Sequence, residues 1–127
     1  MSGRTYRTPK TQGLEHVYYA LMLKGNTVAT NPPVLVEGDP NSSFVTVART
    51  STGVYTITTV DGFPGCLGGI FQMAGTTATV YESSVPVTTT GNAWTFTLTV
   101  KTTAALEMTA GMNMRCLLMF RNTIQVL

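Results

Sequence analysis

The sequence predicts an all-β protein: a single antiparallel β-sandwich or small, jelly-roll-like β-barrel with an extended N-terminal arm. Three observations carry this prediction. Short runs alternate apolar and polar residues with a period of two, clusters of Gly, Pro, Asn and Asp interrupt them about every 10 residues, and no stretch shows a long helical period. The length of 127 residues matches one domain, and a hydrophobic content of 43% is sufficient for one core. Charged residues reach only 11%, against roughly a quarter in ordinary globular domains. Threonine takes their place, with 24 copies. Its β-branched side chain favours strands and offers a small hydroxyl to a solvated face. A surface so poor in charge suits a protein whose faces are covered by partners.

The charge that exists is unevenly placed. Residues 1–13, MSGRTYRTPKTQG, hold Arg4, Arg7 and Lys10 and no acid, while the remainder carries five basic and six acidic side chains. This polar segment has too little apolar area to fold alone. It reads as a basic extended arm, residues 1–13, ahead of a β-sandwich domain over 14–127. Arg4, Tyr6, Arg7 and Lys10 are the candidate partner-binding residues, three cations for an acidic surface and one aromatic anchor. The net charge of +2 is too small to argue for general nucleic-acid binding. The polar start lacks the apolar core of a signal peptide, and no apolar run approaches a membrane span, so synthesis in the cytoplasm is expected. Cys66 and Cys116 are then expected as thiols rather than as a disulfide.

Along the chain, Glu15–Gly25 is long enough for a helix, but Val17, Tyr18 and Tyr19 favour a strand and Lys24-Gly25-Asn26 a turn. Thr27–Thr30 runs into Asn31-Pro32-Pro33, whose prolines confine it to an edge or a loop. Val34–Val36 predicts a brief strand before the turn chemistry of Gly38-Asp39-Pro40-Asn41. Phe44–Thr50 and Val54–Val60 alternate on either side of Ser51-Thr52-Gly53 and read as a β-hairpin. Val45, Val47 and Arg49 share one face of its first strand; Tyr55, Ile57 and Thr59 share one face of its second. Asp61-Gly62 ends the hairpin and Pro64 prevents its continuation. The glycine-broken segment after it predicts a crossing followed by a strand near Ile70–Met73. Thr77–Ser83 alternates again and stops before Pro86. Ala93–Lys101 is the cleanest strand, with Trp94, Phe96, Leu98 and Val100 on one face and Thr95, Thr97 and Thr99 on the other. Burying that apolar face contributes several kcal/mol, at ~2 per large side chain. Ala104–Met108 is expected to form one helical turn in a loop. The last strand sets Met114, Cys116, Leu118 and Phe120 against Arg115, Leu117, Met119 and Arg121. Apolar residues on both faces mark a central or interface-covered strand.

The catalytic inventory is thin. His16 is the one imidazole and reads as a strand-end residue packed beside Tyr18, so no nucleophile has an obvious activating base. No Ser or Cys lies in a nucleophile elbow, and the isolated cysteines form no zinc arm. Glu37 and Asp39 flank a glycine without the ligand density of a calcium loop. The segment DGFPGCLGG lacks the Lys-Ser/Thr of a phosphate loop. No enzyme activity, metal, cofactor or small-molecule substrate is expected. Tyr6 between Arg4 and Arg7 is the single aromatic–basic cluster, and it reads as a basic terminus rather than a base-stacking platform.

Two blocks carry a likeness. The hairpin RTSTGVYTITTVDGFPG, with Arg49, Gly53, Tyr55, Thr56, Ile57 and Thr58 followed by Phe63-Pro64, and the terminal strand CLLMFRNTIQV, with Arg121-Asn122-Thr123, resemble small virion proteins of tailed bacteriophages of the capsid decoration or cement type. The resemblance covers about a third of the chain. It implies a protein without an active site, made in the host cytoplasm, that binds the major capsid protein on the outside of the capsid, commonly as a homotrimer. It also implies that the arm at residues 1–13 reaches across capsid subunits. The alternative is a tail, neck or fibre-tip module that contacts host glycans through exposed Trp94 and tyrosines.

Overall fold

Large apolar side chains on one face of a strand must be covered, and in this chain each sheet covers the other. A computed structural model describes residues 10–12, 16–37 and 44–122. Among them are ten strands: β1 (Lys10–Gln12), β2 (His16–Lys24), β3 (Val34–Glu37), β4 (Val45–Ser51), β5 (Val54–Thr59), β6 (Gly65–Ala74), β7 (Thr79–Glu82), β8 (Val87–Thr88), β9 (Trp94–Lys101) and β10 (Asn113–Arg121). They form two five-stranded sheets in which every pairing is antiparallel. Sheet 1 runs β1–β2–β10–β6, and β3 joins β2 beyond β1 along the same edge. Sheet 2 runs β4–β5–β9–β7, and β8 joins β9 beside β7. The expected β-sandwich is therefore observed, and a closed barrel is not.

The alternation read from the sequence fixes which residues enter the core. Val17, Tyr19, Leu21 and Leu23 of β2 and Met114, Cys116, Leu118 and Phe120 of β10 are buried from sheet 1. Val45, Tyr55, Ile57, Phe96, Leu98 and Val100 are buried from sheet 2. Aromatic rings tie the layers together. Phe120 of sheet 1 stacks on Phe63, with centroids 4.4 Å apart, and meets Tyr19 and Phe96 edge-on at 5.5 and 5.9 Å. Phe71 of β6 packs edge-on against Phe96 at 6.0 Å. Such pairs add ~1 kcal/mol each beyond the area they bury.

Three parts of the fold depart from the sequence reading. Lys10–Gln12, placed in the arm, pairs as a short edge strand with Val17–Tyr19. The glycine-rich segment is strand along its whole length, Gly65–Ala74, with a bulge opposite Met119 and Phe120. Its glycines do not break it, because β10 offers a full-length partner. Ala104–Met108 forms no helical turn; a 3-10 turn occurs instead at Thr90–Asn92. Hydrogen bonds to sheet 2 hold 104–108 extended. Leu106 N–H donates to the Val100 carbonyl (3.0 Å) and Met108 N–H to the Tyr55 hydroxyl (2.7 Å).

Glu107 completes this attachment. One carboxylate oxygen accepts from the Gly53 N–H at 2.7 Å, the other from Arg49 Nε at 2.8 Å. The β4–β5 turn is thereby clamped to the β9–β10 connection, 54 residues further on. Gly53 has φ +70°, a region open to glycine but costly for side chains. A Cβ there would also lie 2.7 Å from the Leu106 backbone, so the turn is shaped by the segment laid over it.

Glu107→Ala should destabilise the fold by about 2 kcal/mol, since it strips a charged acceptor from two donors. Glu107→Gln should cost less, because an amide oxygen still serves Gly53. Urea unfolding followed through Trp94 fluorescence measures both. An unchanged midpoint for Glu107→Ala would show that the clamp contributes nothing.

Candidate assembly surface

The inner faces are spent on the core, so anything the sandwich offers a partner lies on its outer faces, its edges or its ends. The two outer faces differ in chemistry. On sheet 2, register brings Thr46, Thr58 and Thr95 side by side, then Ala48, Thr56 and Thr97. Hydroxyls line the centre of this face, those of Thr58 and Thr95 lying 3.0 Å apart, and Val87, the register neighbour of Thr95 on the far side, is 56% exposed. Thr99 is buried, and the ring of its register neighbour Tyr81 lies beneath the Lys101 ammonium at 5.1 Å. This face presents a mostly neutral, hydrated surface.

Sheet 1 is different. Across its central three strands, register sets Ala20 beside Leu117 and Ile70, and Tyr18 beside Met119 and Gly68. Ile70 is 59% exposed, and Leu67 in the β6 bulge is 53% exposed. Charged residues flank this apolar strip at both ends. Glu37, Met22, Arg115 and Gln72 form the row on one side, with Lys24 one row further; His16, Arg121 and Gly65 form the row at the other end. Arg115 and Lys24 are exposed. The Arg121 guanidinium lies over Gly65, close enough that a Cβ there would sit 3.1–3.2 Å from it. Arg121 Nε is buried and makes no hydrogen bond among the described residues. The one ion pair among those residues is Arg49–Glu107, on the other sheet.

Of the sequence-predicted partner residues, Arg4, Tyr6 and Arg7 lie outside the described residues. Lys10 is the first residue of β1, opposite Tyr19 in register. Glu15, Asp39 and the Gly38–Asn41 turn also lie outside the described residues. His16 Nδ1 is 3.4 Å from the Tyr18 hydroxyl, the neighbour expected from the sequence. No group of three or more His, Cys, Asp or Glu among the described residues is placed to hold a metal, and no helix among them is long and apolar enough to cross a membrane. Trp94 is half-buried, and its indole N–H donates to the Phe63 carbonyl at 3.0 Å. Tyr19 and Tyr55 are buried. Burial, and then the Asp61 carboxylate that accepts from its hydroxyl at 3.1 Å, pushes the Tyr19 phenol well above its usual range.

The apolar strip was only partly visible in the sequence. Leu117 and Met119 signalled it, as apolar residues on the second face of the last strand. Ala20, Ile70 and Leu67 join them only through strand order and the β6 bulge. Comparison of this chain with protein-family models, curated proteins and solved structures finds no match.

Both cysteines are free. Cys116 pairs in register with Phe71 and Cys66 with Phe120, which sets them about 13 Å apart along the strands at ~3.3 Å per residue. Burial pushes the Cys116 thiol up to about 12 and raises that of half-buried Cys66 as well. In native protein, a thiol-reactive chromogen should therefore react slowly at Cys66 and leave Cys116 untouched, and both should react at once in urea. Rapid reaction of two thiols before unfolding would contradict the packing.

Glu82 gives a pH test. Its register partner is the core residue Leu98, and burial raises the carboxyl's pKa. The folded state thus holds this proton more tightly than the unfolded chain does. The associated stability is present at low pH and is lost as pH climbs from the ordinary carboxylate range through the raised value. Glu82→Gln should therefore raise the urea midpoint at neutral pH, with the advantage shrinking towards about pH 4. An equal gain at both pH values would assign the effect to packing instead.

Proposed function

We propose that this chain is a structural virion protein of a tailed bacteriophage, of the decoration or cement type, that binds the outer capsid lattice formed by the major capsid protein. The observation that carries the reading is the apolar strip of sheet 1, where Ile70 and Leu67 are more than half exposed. At about 200 Å² over its three central strands the strip is no larger than the apolar patches of ordinary monomers, so it counts here as one small contact repeated over many copies. The likeness of the Arg49–Thr58 hairpin and the Cys116–Thr123 segment to such virion proteins supports the same reading. In it, Arg4, Tyr6 and Arg7 dock on an acidic groove of the capsid, Lys10 anchors the arm's root at the sheet edge, and three copies assemble at a threefold position. Many identical copies on one shell make modest individual contacts sufficient. A glycan-binding tail or fibre-tip module is less favoured, because the Trp94 indole is engaged with Phe63 and two of the five tyrosines are buried.

Removing residues 1–9 spares β1 and isolates the arm. The truncated protein should unfold at the wild-type temperature yet sediment with purified capsids of the encoding virus at least about tenfold less well. Undiminished sedimentation would remove the arm from the contact. Light scattering of the full chain should give the mass of a trimer.

A further inference from the structure

We infer that the outer edge of β6 is a site of strand addition for a second copy of this chain, whose own β6 pairs with it antiparallel about a twofold axis. The inference goes beyond the proposed function and does not depend on it, since it concerns contact between copies and not contact with the shell.

An edge strand turns backbone N–H and C=O groups away from its sheet, and where nothing guards them they accept another strand. The edges of this sandwich are guarded unequally. In sheet 1, β1 has three residues and includes Lys10, and β3 has four, follows Pro33 and ends at Glu37. In sheet 2, β4 carries Arg49 and a bulge at Thr50, β7 has four residues and ends at Glu82, and β8 has two and follows Pro86. β6 is the longest strand among the described residues, with ten residues, no charge and no proline. No strand among them pairs with its outer side. The bulge at Leu67 lies towards one end and leaves Gly69–Ala74 in unbroken register with β10. Side chains on this flank are also incompletely covered. β6 lies against β7 at the side of the sandwich, and Cys66, Phe71, Met73 and Val80, which pack on the margin of the core, are only half-buried there. A strand laid along β6 extends sheet 1 over them.

Symmetry, charge and area favour a second copy as the occupant. Two β6 strands running in opposite directions match donor to acceptor about a twofold axis, and neither brings a charge into the ladder. The nearest charges in the adjoining rows are Arg115, one strand in beside Gln72, and Arg121 beside Gly65 at the bulged end. Across the axis the two Arg115 positions stand at least three strand spacings apart, about 14 Å, beyond the ~10 Å over which salt leaves charges in contact. Below β6 on the same flank, Glu82 is half-buried and its register partner is the core residue Leu98. At ~3.3 Å per residue Gly69–Ala74 spans about 20 Å, and two sheets ~10 Å apart with their side chains are about 20 Å deep, so the contact covers roughly 400 Å² of each copy. That is about half of the ~800 Å² that a stable complex buries on each partner. The edge therefore supports an association that follows concentration, and not a permanent dimer.

The test is sedimentation equilibrium of the free full-length chain over a wide range of concentrations, alongside the double variant Ile70→Lys/Gln72→Lys. Both positions are exposed, and unchanged thermal unfolding monitored by Trp94 fluorescence verifies the fold; Gln72→Lys alone serves if the double variant melts early. An antiparallel register centred on Ile70, Phe71 or Gln72 sets these lysines against their mates across the axis. The expected result is a wild-type mass that rises with concentration above that of the dilute species, whether that species is one copy or a threefold cluster. The variant should associate at least about tenfold more weakly, because like charges then face each other. A wild-type mass that stays constant at every concentration overturns the inference and assigns the edge to a different occupant. A rise that the variant retains in full also overturns it, by placing the self-contact elsewhere on the molecule. Neither outcome touches the proposed function, which capsid sedimentation tests separately.

Discussion

Phe120 projects from β10 into a ring of aromatic side chains, and the spacing of those rings holds the two sheets in place. Phe63 stacks on it from the β5–β6 connection, Tyr19 flanks it from the neighbouring strand, and Phe96 meets it from the opposite sheet. Edge-on and offset contacts of this sort prefer particular angles, unlike aliphatic packing, which tolerates sliding. Because Phe120 is fixed, the parity of β10 is fixed. A slip of one residue would turn Leu117, Met119 and both arginines inward and place Met114, Leu118 and Phe120 in solvent. The apolar strip on the outer face is therefore a by-product of core registration, and its residues do not choose their own positions.

Glu107 solves a different problem at one end of the sandwich. The connection from β9 to β10 must leave sheet 2 and enter sheet 1, exposing backbone groups on the way. Anchoring it to Gly53, Arg49, Tyr55 and Val100 supplies partners for several of them. It also holds the hairpin turn beneath it. The clamp joins residues 54 and 58 apart in sequence. Gly25 plays a related part across the gap: a side chain there would collide with the Thr109 backbone, so β2's exit and the β9–β10 connection approach as closely as two bare backbones allow.

Much of this was legible in the sequence because period-two alternation is a local signal. The buried faces of β2, β5, β9 and β10 follow from alternation alone, and the hairpin follows from Gly53. What was not legible depended on partners. Lys10–Gln12 carries no apolar signal and becomes a strand because β2 offers an edge. Gly65–Gly69 looks like a breaker and becomes strand because β10 pairs along it. Ala104–Met108 has residues that favour a helical turn, and hydrogen bonds to Tyr55 and Val100 override them. The apolar strip was half visible, in Leu117 and Met119. Its width depends on Ala20 and Ile70, which strand order alone brings alongside.

The threonine-covered face of sheet 2 has an electrostatic consequence. Hydroxyl groups do not ionise in the physiological range, so the hydration of this side changes little with pH or with added salt. It also contributes little long-range field. Lys101, exposed at the end of β9 on this same face, is then the main charge an approaching surface feels from this side, and the rest is met through short-range contacts with hydroxyls.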